Sequence, residues 1–100
     1  MASTIYKMGH DELGRIESNG YVYDQSSEYL GKVEDGKVYD KAGEYIGYVN
    51  DAGLVYDDQN EWIGTVRDDG VVLDDAGNEM AEIESPHMQY GGAAYLLLLR

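Results

Sequence analysis

The chain has 100 residues, with twenty Asp and Glu against seven Lys and Arg, for a net charge of −13. Such a charge repels nucleic acid and anionic membrane surfaces, and the absence of cysteine excludes disulfides and thiolate sites. The length suits one domain with a modest core, and an apolar set rich in Val, Ile, Leu and Tyr, without Phe, favours strands.

In chain order, the opening stretch MASTIYKMGHDELG lacks the basic start and apolar run of a signal peptide, so a cytoplasmic location is expected. A repeat then governs the chain. Tyr-Asp pairs stand at Tyr23-Asp24, Tyr39-Asp40 and Tyr56-Asp57, with Leu73-Asp74 as a variant and Tyr6-Lys7 as a worn first copy. The intervals between Tyr6, Tyr23, Tyr39, Tyr56 and Leu73 are 17, 16, 17 and 17. Gly14, Gly31, Gly47, Gly64 and then Ala81 keep the same rhythm, as do Ile16, Val33, Val49, Val66 and Ile83. The period suits two strands of about five residues and two turns. Hairpin repeats are therefore expected at 4–20, 21–36, 37–53, 54–70 and 71–85, with an apolar tail at 86–100, all within a single domain spanning 1–100.

Within each repeat one turn reads DQSS, DKAG, DDQN or DDAG. Its Asp can accept bonds from the backbone two residues on, and its last position calls for positive φ, which Gly43, Asn60 and Gly77 tolerate and which suits Ser27 and His10 less. The other turn carries Gly20, Gly36, Gly53 or Gly70, and the one residue missing from the period falls at Asp35-Gly36. Two- and three-residue loops can close the same strand pair, so Val33 should face Val38 as Val49 faces Val55 and Val66 faces Val72. Leu30 and Val33 lie three apart, which strict alternation would send to opposite faces. A bulge at Gly31, and likewise at Gly47 and Gly64, puts both on one face, with Val22 opposite Leu30. The alternative is a gap that a neighbouring Tyr ring covers.

One face then carries an aliphatic stripe from Val22 to Ile83. The other carries aromatic cross-strand pairs, Tyr23 with Tyr29, Tyr39 with Tyr45 and Tyr56 with Trp62. The last copy breaks that pattern with Leu73 and Glu79. An open array would leave raw edges, so an all-β, closed, barrel-like or radial ring of four to five hairpin repeats is expected. After Ser85-Pro86, Gly91-Gly92 permits a reversal, and AAYLLLLR is read as a short apolar helix plugging the ring or seating against one mouth. The rival readings of that run are an added strand or a surface for self-association.

The unit Val-Tyr-Asp-x-x-Gly-Glu-Tyr-Ile-Gly-x-Val, repeated over about residues 4–84 and followed by an apolar tail, resembles the four-fold β-flower proteins of bacteria. The resemblance implies a compact ring of short hairpins and supplies no catalytic residue. Lys7, Glu79 and Ala81 depart from the unit.

The chemistry on offer is sparse. His10 and His87 have no metal-ligand spacing, and the acidic pairs Asp57-Asp58, Asp68-Asp69 and Asp74-Asp75 fall in turns. No catalytic residue and no cofactor are expected. Asp24, Asp40, Asp57 and Asp74 recur at one position and would make a Ca²⁺-binding ring if closure brought them together, or otherwise cap their turns. Tyr29, Tyr45 and Trp62 offer a platform for stacking glycans, or for burial between subunits. The expected function is a non-enzymatic structural or protein-interaction module that forms a homo-oligomer, with a glycan- or Ca²⁺-binding module as the alternative.

Overall fold

The computed structural model describes residues 2–100. Ten short strands follow one another: β1 (Ser3–Lys7), β2 (Asp11–Ile16), β3 (Tyr21–Asp24), β4 (Tyr29–Glu34), β5 (Lys37–Asp40), β6 (Tyr45–Val49), β7 (Leu54–Asp57), β8 (Trp62–Val66), β9 (Val71–Asp74) and β10 (Glu79–Ile83). Each pairs antiparallel with its neighbours in sequence, and β1 pairs with β10 through Ile5 and Ile83, so the sheet closes into a barrel without edges. The five hairpins β1β2 to β9β10 meet the expectation of a closed ring, at the upper of the two repeat numbers.

The turns divide between two rims. Within hairpins lie the Asp turns. Asp24 donates its N–H to Glu28 O, and Ser27 N–H returns to Asp24 O, both at 3.0 Å. Positive φ at their last position falls to His10 (74°), Ser27 (67°), Gly43 (86°), Asn60 (63°) and Gly77 (85°), so His10 and Ser27 adopt a conformation uncommon outside glycine, which histidine enters more readily than serine. Between hairpins lie the glycine turns. Asp35 and Gly36 both have positive φ, 52° and 81°, as a two-residue type I′ loop demands. Val33 still faces Val38, Val49 faces Val55 and Val66 faces Val72, so the missing residue is absorbed in the loop.

Every hairpin carries a bulge, shifted one residue from the expected place. Val22 pairs with Gly31 and Tyr23 with Tyr29, which makes Leu30 the extra residue. Ile46 and Ile63 are its counterparts, as are Leu13 and Met80. Gly31, Gly47 and Gly64 therefore stand in the ladder and face the barrel axis.

The axis is filled by the C-terminal segment. The helix α1 (Met88–Ala94) runs on into a π-helical turn, Tyr95–Leu99, which Arg100 N–H closes onto Tyr95 O at 2.9 Å. It starts at the glycine-turn rim, where Gln89 Nε2 donates to Asp51 O at 3.0 Å, and threads toward the Asp-turn rim. Ile5, Ile16, Val22, Val38, Val55 and Val72 are no more than 1 % exposed around it. Gly91 and Gly92 do not reverse the chain. They lie buried within α1, where a Cβ on Gly91 would come 2.5 Å from Ile83 Cγ2 and one on Gly92 2.2 Å from Val66 Cγ2. Close approach of helix to sheet overrides the poor helix propensity of glycine.

The strand glycines serve the same helix. A Cβ on Gly31 would lie 3.2 Å from Leu98, on Gly47 2.8 Å from Leu97 and on Gly64 2.7 Å from Leu96. Three successive leucines thus enter three successive hairpins. Residues of an α-helix turn by about 100° each, whereas five hairpins about an axis recur roughly every 72°. The wider i→i+5 turn lowers the rotation per residue toward that interval. The gap opposite Gly31, Gly47 and Gly64 is filled from the axis by leucine, and not by a tyrosine ring, while a carbonyl oxygen of the next strand stands closer still, 2.2 to 2.4 Å from where a Cβ would be; Gly14 meets only the neighbouring strand's backbone, with Tyr23 O at 2.3 Å.

Candidate functional site

The outer surface of β3–β8 is where unusual chemistry collects. Alternation sends Tyr21, Tyr23, Tyr29, Tyr39, Tyr45, Tyr48, Tyr56 and Trp62 outward, because Val22, Gly31, Val38, Gly47, Val55 and Gly64 between them point to the axis. Registry across hairpins joins the rings into one belt. Lys32 pairs with Tyr39, and Tyr48 with Tyr56. Tyr29 sits between Tyr21 and Tyr23, with centroids 5.3 and 5.9 Å away. Tyr39 meets Tyr45 edge-on at 6.2 Å, and Tyr48 stacks on Tyr56 at 5.0 Å with planes 13° apart.

Cations complete the belt. The Arg15 guanidinium lies 4.6 Å over Tyr23 and the Lys32 ammonium 5.5 Å over Tyr39, both within cation–π range. At the next equivalent position the ring of Tyr48 takes the cation's place. The hydrogen bond and charge of Glu34 raise the Lys32 pKa, so the ammonium stays charged. Loss of hydration beside its neighbours raises the Tyr45 phenol above its ordinary range, with Tyr48, Asp58 and Tyr39 adding to the effect, so it remains a donor. The strands' outward positions hold one carboxylate, Glu34, ion-paired with Lys32 at 3.3 Å. The remaining acids near the belt lie in the turns.

The three residues marked in the sequence as a stacking platform, Tyr29, Tyr45 and Trp62, occupy the first position of β4, β6 and β8 on this belt. Tyr45 is 40 % and Trp62 44 % exposed, whereas Tyr29 is half-buried between its neighbours. Tyr21, also 40 % exposed, and Tyr48 belong to the belt and were not singled out by sequence reasoning. Their alternation marked them as outward, but their contacts depend on registry between hairpins.

Asp24, Asp40, Asp57 and Asp74 stand on the Asp-turn rim, one in each of four hairpins. Each turns its Oδ1 into its own loop. That atom accepts the N–H groups two and four residues on, at 2.8 and 3.0 Å for Asp24, with close repeats at the other three. Among the described residues no three His, Cys, Asp or Glu side chains form a group that could hold a metal ion.

For catalysis the geometry offers little. The Arg67 hydrogen bond holds the Asp69 carboxyl below the usual range, and the backbone N–H of Asn78 does the same for Asp74. A general acid near neutrality needs the opposite shift. Among the described residues no helix is long and apolar enough to cross a membrane.

Comparison with known proteins returned one family, described as 5-fold beta-flower protein, whose model matches residues 1–98. The number agrees with the five hairpins, and it replaces the four-fold family that the sequence resemblance suggested. No curated protein and no solved structure matches.

Proposed function

The chain belongs to the 5-fold beta-flower family, and on that footing we propose that it is a non-enzymatic interaction module that associates with copies of itself through the aromatic belt of β3–β8. One observation carries this reading. Of twenty acidic residues, the outward positions of these six strands keep a single one, already paired, while they gather eight aromatic rings and two lysines. Protein interfaces have that composition at their centre, enriched in Tyr and Trp and depleted of Asp and Glu. A belt of this extent is uncommon on a monomer, and a two-fold contact would cover the same patch on both copies.

Sedimentation equilibrium tests the proposal. The wild-type chain should run as a dimer or larger closed oligomer, and Tyr45→Glu/Trp62→Glu as a monomer with an unchanged far-UV spectrum. A wild-type monomer overturns it. The exposed rings would then be free for sugar stacking, which retention on insoluble cell-wall glycan, lost in Trp62→Ala, would reveal.

A further inference from the structure

The helix leaves an apolar mouth at the Asp-turn rim. Leu97, Leu98 and Leu99 end there half-buried, and the bulge residues of all five hairpins, from Leu13 to Met80, are half-buried around them. Between Leu13, Met80, Tyr95 and Leu99 the mouth opens as a cleft of about 330 Å³, with Lys7, Met8 and Arg100 on its wall. Every Asp turn that surrounds it brings at least two carboxylates, and among the described residues Glu28, Glu44, Glu61 and Asp75 make no side-chain hydrogen bond or ion pair.

Charge decides what can cover this face. A second copy presenting the same mouth would set one carboxylate collar against another, and an anionic membrane surface would be repelled in the same way. Lys7, Lys41 and Arg100 on this rim are outnumbered by the carboxylates of the four Asp turns, and an apolar disc inside a collar of net negative charge matches an amphipathic segment with an apolar stripe flanked by Lys or Arg. We propose that the mouth at the Asp-turn rim is a docking surface for a cationic amphipathic helix of another protein, with the stripe over Leu97–Leu99 and the cations on the collar. The mouth opens along the barrel axis and the belt faces outward from the wall, and the two share a border where Glu28, Glu44 and Glu61 precede Tyr29, Tyr45 and Trp62.

The probe is a synthetic amphipathic Leu/Lys helix, with its Leu/Glu counterpart as control, titrated calorimetrically into the full chain. The Leu/Lys peptide should bind and the Leu/Glu peptide should not, and affinity should fall with added salt. Glu28→Gln/Glu44→Gln/Glu61→Gln should weaken binding by about tenfold or more. Asp35→Asn/Asp51→Asn/Asp68→Asn, an equal change in charge on the opposite rim, should leave it within about twofold. Leu99→Gln, checked for an unchanged melting profile, should also weaken it. Binding of both peptides alike, equal losses in the two triple variants, or no binding of the Leu/Lys peptide would each overturn the proposal.

Discussion

At the scale of single residues, the recurrent aspartate is explained by what its loop lacks. A turn of this kind leaves backbone N–H groups pointing inward with no ladder partner, and one Oδ1 satisfies two of them. That is sufficient reason for Asp24, Asp40, Asp57 and Asp74 to recur, and it was legible from the turn pattern. Asp74 adds a bond from Asn78 Nδ2 to its Oδ2 at 3.2 Å. These bonds favour the carboxylate, with the Asn78 N–H foremost, and hold the Asp74 pKa below its ordinary value. The unfolded chain, with a value of about 3.9, therefore takes up the proton first as pH falls. The stability that this charge contributes is complete above that value and is lost as pH drops through the lower, folded one. Acid also relieves the general repulsion of a −13 chain, which obscures the effect in the wild type alone. The comparison with Asp74→Asn isolates it. Urea unfolding should show the variant less stable at pH 7, and the gap should narrow toward zero as Asp74 is protonated below about pH 4. A gap that stays constant with pH would place the stabilisation in packing and not in charge.

At the scale of elements, strands, turns and the existence of a bulge were legible because their causes are local. Alternation, positive-φ residues and a three-residue interval each lie within a few positions of one another. The purpose of the glycines was not legible. Gly64 is small because Leu96, more than thirty positions away, occupies its slot, and because Leu73 O would lie 2.4 Å from a Cβ there. A run of four leucines carries no period that would assign each to a hairpin. Gly91-Gly92 misled for a related reason: propensity marks the pair as a break, and the barrel wall requires it inside a helix. The consequence can be measured. Gly92→Ala should cost about 1–3 kcal/mol through overpacking, since its Cβ would strike Val66 side-chain carbons at 2.2 to 3.1 Å. No backbone atom is among those contacts, so Val66→Ala should make room. The double variant should be more stable than the sum of the two single losses predicts, with a coupling of about 1 kcal/mol or more. Strict additivity in urea unfolding would mean that α1 does not pass Val66 at this depth.

At the scale of the whole molecule, charge and ring chemistry are segregated by topology. An up-and-down barrel sends its turns to two rims and its outward side chains to the wall between them. Acids gathered in the turns and at the strand ends beside them thus become two anionic rims, and tyrosines placed in strands become a belt. The belt's individual pairs could be read from hairpin registry, but its continuity could not, because Lys32–Tyr39 and Tyr48–Tyr56 join different hairpins. Its one-sidedness was visible only as a broken last copy: Leu73 and Glu79 interrupt it, and closure brings Tyr6 beside Glu82. This arrangement gives the proposed self-association a distinctive dependence on salt. Two chains of −13 repel over the full extent of their rims, while the contact itself is aromatic and nearly free of carboxylates. Screening shortens the repulsion from a reach of about 30 Å at 0.01 M to about 8 Å at 0.15 M and weakens the burial of rings little. Self-association should therefore tighten as sodium chloride rises from low to physiological concentration, which sedimentation velocity over a dilution series would measure. An oligomer that loosens with salt would instead be held by lysine–carboxylate pairs at the belt's margin, and the rings would not be its main contact.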